Sequence, residues 1–325
     1  MSKRVTLFWF YWERFGILAI LSFTLMIFSI LTPAIFAPNN LVTVLARSAI
    51  VAIPAMGMTY AICSGGFDLS VGSIVGLSTC VWAANLPVIG IVPATLLTLA
   101  VGALCGMLNG LVIAKLKIQT FVATLAMSMI FRGAALVYTD GSKQMISRAD
   151  HIEAKFFSEN YQIFGLPVQL VSLLLMFTVF TVGYLIYRYT RFGVYTRSIG
   201  SNELSARTSG IPVDRTIILV FMLTGTTAAV SSLITASQLM QGAATLGMGF
   251  ELEVITATIL GGTSLAGGKG NIWGSMVAAI MLAFTRNGLN ILGLSEEYQR
   301  LSIGVILLLA LAVSGIQIRM KEAKQ

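Results

Sequence analysis

Long apolar runs separated by short polar breaks fill almost the whole chain. They give ten candidate membrane segments: 15–36, 44–63, 69–84, 90–114, 119–139, 166–187, 216–239, 251–264, 271–290 and 298–317. Runs of about 16–25 residues without strict alternation fit α-helical spans, because barrel strands are about ten residues long and alternate. Segments 69–84 and 251–264 are short for a full crossing and are expected to be tilted, re-entrant or broken. The first run exceeds a signal-peptide core of about 7–15 residues and shows no clear small-residue cleavage site, so it is expected to be a retained span.

The stretch "SGGFDLSVGS", residues 64–73, interrupts this pattern and places a carboxylate between two apolar runs. Gly65 and Gly66 can take backbone conformations closed to other residues. Asp68 or Ser70 can then cap the next helix, whose free N–H groups would be costly to leave bare in lipid. The break thus reads as a turn with an N-cap that can hinge as a gate. The other reading is an interrupted helix along a substrate path. A second break, "GGTSLAGGKG" at 261–270, is expected to be a compact turn built on Gly261, Gly262, Gly267 and Gly268. Lys269 would face a partner or lipid headgroups. It is not a phosphate loop: Gly268 takes the lysine position, and Gly270 follows Lys269 where Ser or Thr is required. Glycines four residues apart (Gly102, Gly106 and Gly110; Gly72 and Gly76; Gly270 and Gly274) point to close helix packing within one bundle.

Composition changes the picture in one respect: it excludes a soluble domain. The 325 residues are 56% hydrophobic and 10% charged, with a mean hydropathy of +0.87, against about 25% charged in soluble domains. The net charge of +8 therefore speaks of membrane orientation and not of nucleic acid. Arg188, Arg191, Arg197, Arg207, Arg215, Lys115, Lys117 and Lys269 fall on one side with Lys3, Arg4, Arg14, Arg319, Lys321 and Lys324. Asp140, Asp150, Glu153, Glu159, Glu251, Glu253, Glu296 and Glu297 fall on the other. The first side is cytoplasmic by the positive-inside rule, and both termini lie there. The expected fold is an all-α polytopic membrane protein of about ten helices, one transmembrane domain over 1–325.

Two segments lie outside the spans: an outer loop at 140–165 and an inner loop at 188–215. In the inner loop Ser201 or Asn202 can cap a helix of about 203–209. Glu203 suits its positive end, Gly210 its exit, and Pro212 prevents continuation. A two-turn helix needs packing to persist, and Leu204, Ala206 and Ile211 are available. It lies either on its own bundle or in a groove of a cytoplasmic partner. Catalytic chemistry has no footing: there is one histidine, His151, to which no role is assigned, and no cysteine pair with zinc spacing. Cys63, Cys80 and Cys105 read as small buried hydrophobes. Glu251 and Glu253 either face a pathway or a partner, or are simply wet.

"MGMTYAICSGGFDLSVGSIVGL", "IGSNELSARTSGIPVDR", "ELEVITATILGGTSLAGGKGNIWGS" and "NGLNILGLSEEYQ" together resemble the permease subunits of monosaccharide ABC importers, the ribose-permease group. "KLKIQTFVATLAM" and "YTDGS" are similar as well, and the blocks run in the family's order along nearly the whole chain. The resemblance implies a bacterial inner-membrane permease that moves a neutral monosaccharide such as ribose. It works beside a second permease copy or a paralogue. A separate cytoplasmic ATPase binds ATP and Mg, which this chain does not, and a periplasmic sugar-binding protein delivers the solute. It also implies that Asn202, Glu203, Arg207 and Gly210 couple to the ATPase, and that the outer loops receive the binding protein. Alternatives are the same architecture importing an autoinducer-type furanose or a nucleoside, and a self-sufficient secondary transporter. The last lacks the carboxylate or histidine relay that proton coupling needs.

Overall fold

A computed structural model describes residues 21–322 except 23 and 148. Residues 15–20 of the first expected span, Lys3, Arg4, Glu13, Arg14, Arg148 and Lys324 lie outside the described residues, as do the side chains of Arg319, Lys321 and Glu322. Helical residues 24–31 form α1, and a 3-10 turn at Pro33–Phe36 leads into the bundle. There follow α2 (Pro38–Cys63), α3 (Val71–Ile89), α4 (Ile91–Leu116), α5 (Thr120–Tyr138) and α6 (Leu170–Tyr189). Next come α7 (Arg191–Ser201), α8 (Glu203–Thr208), α9 (Val213–Leu239), α10 (Phe250–Leu260), α11 (Ile272–Ile291) and α12 (Glu296–Glu322).

Among the described residues seven helices, α2 to α6, α9 and α11, are long and apolar enough to cross a membrane. The expected short span 69–84 is corrected: it is the 19-residue α3, which runs on through Pro87. The short segment 251–264 stays short. Its 11-residue α10 is about 16 Å long, half of a hydrocarbon core of about 30 Å. The all-α expectation needs one amendment. The outer loop holds β1 (Gln144–Met145), β2 (Tyr161–Ile163) and β3 (Leu166–Val168), and β4 (Gln241–Gly242) follows α9. β2 and β3 form a hairpin, while β1 pairs antiparallel with β4 and ties the outer loop to the end of α9.

α9 sits at the centre, packed on α2, α3 and α4. Its seam with α4 is made of backbone. A methyl group added at Gly102 would strike Gly225, at Gly106 it would strike Phe221 and Met222, and at Gly110 it would strike Ile218. In lipid no hydrophobic drive joins helices, so close approach and interhelical hydrogen bonds must do so. Such bonds recur: Tyr60 Oη donates to the Gly183 carbonyl at 2.6 Å, and the Thr59 and Ser275 hydroxyls meet at 2.8 Å.

Pro54 lies inside α2. It has no N–H for the Ile50 carbonyl one turn back, and in hydrocarbon that carbonyl has no water to turn to. Ser231 of α9 fills the gap, its Oγ donating to Ile50 O at 2.7 Å. Ser231→Ala is expected to lower stability by about 1–3 kcal/mol. In a Pro54→Ala background most of that loss should vanish, because an alanine at this position restores the missing donor. Unfolding midpoints of the two single variants and the double variant in detergent check this, and equal losses in both backgrounds would refute it.

Candidate functional site

α2 ends in a glycine C-cap. Gly65 has φ +89, its N–H reaches the Ile62 carbonyl at 3.0 Å, and the Gly66 N–H reaches Ala61 O at 2.9 Å. This is the paired return of a Schellman motif, and it satisfies carbonyls the helix end would leave bare. Gly66 is not in the left-handed region, contrary to the expectation. It is small because Thr120 of α5 stands against it. Thr120 and Thr124 hold the next residues, their Oγ1 atoms accepting from Phe67 N (3.4 Å) and Leu69 N (3.1 Å).

Asp68 is wholly buried, and the capping expectation needs correcting. Ser70 occupies the N-cap position of α3, but its side chain caps nothing. Instead Asp68 Oδ1 accepts from Ser70 N (2.9 Å), Ser70 Oγ (2.6 Å) and Asn109 Nδ2 (3.4 Å). Oδ2 accepts from the Thr224 hydroxyl of α9, and Asn109 also donates to Ser70 Oγ at 2.7 Å. Burying a carboxylate is tolerable only when its lone pairs are filled, and here α3, α4 and α9 each supply donors. Asp68 is therefore a rivet between three helices.

The other glycine turn closes on this region. α10 ends at Gly261, which packs against Gly274 and Ser275 of α11. Gly262, Gly267 and Gly268 have φ of +93, +78 and +74. Gly268 N donates to the Cys63 carbonyl of α2 at 2.9 Å, and Gly270 N donates to Tyr187 Oη at 2.8 Å. Gly200 of α7 is wedged between: a methyl group there would strike both Cys63 O and Gly268 N. The ends of α2 and α7 and the 261–271 turn thus meet backbone to backbone. Lys269 is exposed beside this junction.

α7 is a helix that the inner-loop reading did not anticipate, and it runs straight into the expected one. Asn202 caps α8, its Oδ1 accepting from Ser205 N at 2.9 Å, and Gly210 has φ +77. Ala206 packs with Ile199, Val213 and Ile211, while Leu204 is 73% exposed. The helix therefore rests on its own bundle and still presents an apolar residue outward. Glu203 and Arg207 pair at 2.8 Å, Arg207 pairs with Asp214 at 2.8 Å, and Asp214 also meets Lys115 (3.2 Å) and Lys117 (3.0 Å). Hydrogen bonding to Asp214 and Glu203 holds the Arg207 guanidinium above its ordinary value. Exposed ion pairs are weak singly, but this set joins α8 to α9 and to the end of α4.

One side chain at this site went unread in the sequence: Arg132, a lone cation in the apolar α5. Its Nη1 donates to the Ala244 carbonyl and to Leu246 O at 2.7 Å. These carbonyls belong to the non-helical segment before α10, which packs on Gly72 and Gly76 of α3. An ionisable residue in a span is itself a signal. Arg132 also lines a cavity of about 370 Å³ with Leu69, Ser73, Ser128 and Glu251. Glu253 points elsewhere and pairs with Arg286 of α11.

Removing the rivet strands the donors of Ser70, Asn109 and Thr224, each worth about 1–3 kcal/mol when left unmade. Asp68→Ala is therefore expected to unfold at a clearly lower temperature than wild type. Asp68→Asn, with one acceptor oxygen left, should fall between. Thermal melts in detergent read the order, and a melt of Asp68→Ala matching wild type would refute the assignment.

Comparison with known proteins bears on the same segments. Residues 40–311 match the family described as branched-chain amino acid transport system / permease component. The ribose import permease protein RbsC of Escherichia coli K12 is 38% identical over 301 residues, 89% of each chain. The L-arabinose transport system permease protein AraH of the same organism is 34% identical over 312 residues, 92% of this chain and 89% of the relative. The D-allose transport system permease protein AlsC is 31% identical over 319 residues, 97% and 95%. No solved structure matches the chain at a significant level. The chain belongs to this permease family, and within it to the ribose-permease group of sugar ABC importers.

Proposed function

We propose that this multi-pass protein is the membrane subunit of an ATP-driven importer for a neutral monosaccharide, ribose or a close relative, in a bacterial inner membrane. One observation supports the reading above others: the junction where Cys63, Gly200 and Gly268 touch through backbone atoms. A partner pressing on α8 would move α7 with it. α7 would in turn displace the turn after α2 and the turn after α10. Both ends of that chain are glycine turns, which absorb backbone rotation at little cost. Glu203, Arg207 and exposed Leu204 form the contact face, with a separate cytoplasmic ATPase as partner and ATP and Mg on that chain. A periplasmic sugar-binding protein would meet the outer loop, and a second permease copy or paralogue would complete the pathway.

Within this reading the sugar passes the cavity lined by Ser73, Ser128, Arg132 and Glu251. Its hydroxyls exchange hydrogen bonds with those side chains, and no charge need cross. Specificity for ribose over arabinose or allose, the solutes in the relatives' names, then rests largely with the delivering protein.

The test is ATP-dependent uptake of labelled ribose into proteoliposomes holding this chain, its ATPase and its binding protein. Glu203→Lys reverses the charge beside Arg207 and should lower uptake roughly tenfold or more, as when a coupling of about 1–3 kcal/mol is removed. ATPase activity without the permease should stay unchanged. Uptake by this chain alone would overturn the reading in favour of a self-sufficient carrier. ATPase co-purification without ribose uptake would keep the architecture and redirect the search to a furanose or nucleoside.

A further inference from the structure

A second cavity, of about 430 Å³, opens at the end of the bundle that carries α7 and α8. It lies between the end of α6, the middle of α7, the 261–271 turn and the start of α11. Three cations line it, Arg188, Arg197 and Lys269, with Tyr184, Tyr187 and Trp273 on the apolar wall. No carboxylate is among its lining residues. None of the three cations forms an ion pair among the described residues. On the same face Lys115, Lys117 and Arg207 are matched by Asp214 and Glu203; Arg191 and Arg215 are not, but they do not line this cavity. Arg197 is held in place by stacking over the Tyr187 ring, 4.8 Å from its centroid. Three unmatched cations around one hollow repel each other unless an anion sits among them.

An apolar strip of α6 leads up to the opening. Leu174, Phe177 and Leu185 of α6 are large apolar residues left about half exposed. With exposed Thr181 they follow the spacing 174, 177, 181, 185 and then 188, a single helical stripe that ends at Arg188. The rings of Trp273 and Tyr184, 5.9 Å apart, stand where the stripe gives way to charge, as aromatic residues do at the boundary between hydrocarbon and headgroups. Hydrocarbon chains laid along this stripe would bring their headgroup to Arg188.

We propose that the cavity binds the phosphate of an anionic phospholipid, with acyl chains along the exposed stripe of α6. Basic pockets between spans on the cytoplasmic side suit such headgroups. The arginine guanidinium groups can fork onto the phosphate oxygens, and Lys269 adds a point charge. Tyr187 and Gly270 are hydrogen-bonded to each other in the same wall. The bound phosphate therefore clamps α6, α7 and the glycine turn together at the junction described above.

The experiment is native mass spectrometry of the purified full-length chain with equimolar phosphatidylglycerol and phosphatidylcholine, and it needs no transport. Phosphatidylglycerol is expected to be retained selectively. Arg188→Gln/Lys269→Gln, which leaves the stacked Arg197 in place, should reduce the preference by about fivefold for each charge removed. Lys143→Gln, which removes a charge from the outer loop, should leave it unchanged. Equal retention of the two lipids, or an unaltered preference in the double variant, would overturn the proposal. Displacement of the lipid by inorganic phosphate would overturn the lipid source and make the site one for a soluble anion. A double variant that keeps its lipid preference but loses its ATPase would assign the three charges to the partner chain instead.

Discussion

A backbone carbonyl or N–H released from a helix inside hydrocarbon has only the protein itself to bond to. Most of what distinguishes this chain from a plain bundle follows from that constraint. Pro54 frees the Ile50 carbonyl, and Ser231 reaches across from α9 to meet it. The segment before α10 frees the carbonyls of Ala244 and Leu246, and the guanidinium of Arg132 meets both. The break after α2 turns its N–H groups back onto Ala61 and Ile62, and fills the Asp68 carboxylate from three helices. Each of these three irregularities comes with its own donor or acceptor.

The same bonds tie one part of the molecule more tightly than another. α4 and α9 touch through glycine backbones and are riveted by Asp68, so they behave as one body. The glycine turns at 64–66 and 261–270 are tied more lightly, by Thr120 against Gly66 and by Tyr187 Oη accepting from Gly270 N. Their contacts with α7 are backbone on backbone, which transmits displacement without the slack of a rotating side chain. The ion-paired set on Asp214 gives α8 a second, softer attachment to the body of α4 and α9.

Much of this was legible in the sequence. Apolar runs located six of the seven long spans within several residues, since length and hydropathy decide them, while α3 was expected to be short and in fact runs on through Pro87. The cap residue Asn202 and the exit glycine Gly210 bounded α8 closely, because capping is chemistry between neighbours in the chain. The glycine triplet of α4 announced its close packing. α7 was missed: its side chains offer no N-cap bond, and its buried face of Gly193, Thr196 and Ile199 is too small to stand out. Arg132 was visible as a lone cation in an apolar run, but its partners lie more than a hundred residues away. A cap by Asp68 or Ser70 is what the following helix start suggests, whereas Asn109 and Thr224 become partners of Asp68 only once the helices are assembled.

The bond from Ser231 to Ile50 also makes positions 54 and 231 interdependent. A serine facing an intact α2 is harmless, for its hydroxyl can turn back onto a carbonyl of its own helix. A proline at position 54 without that serine leaves a bare carbonyl in the middle of the membrane. The two residues are therefore a unit in any redesign of this chain, to be kept or exchanged together.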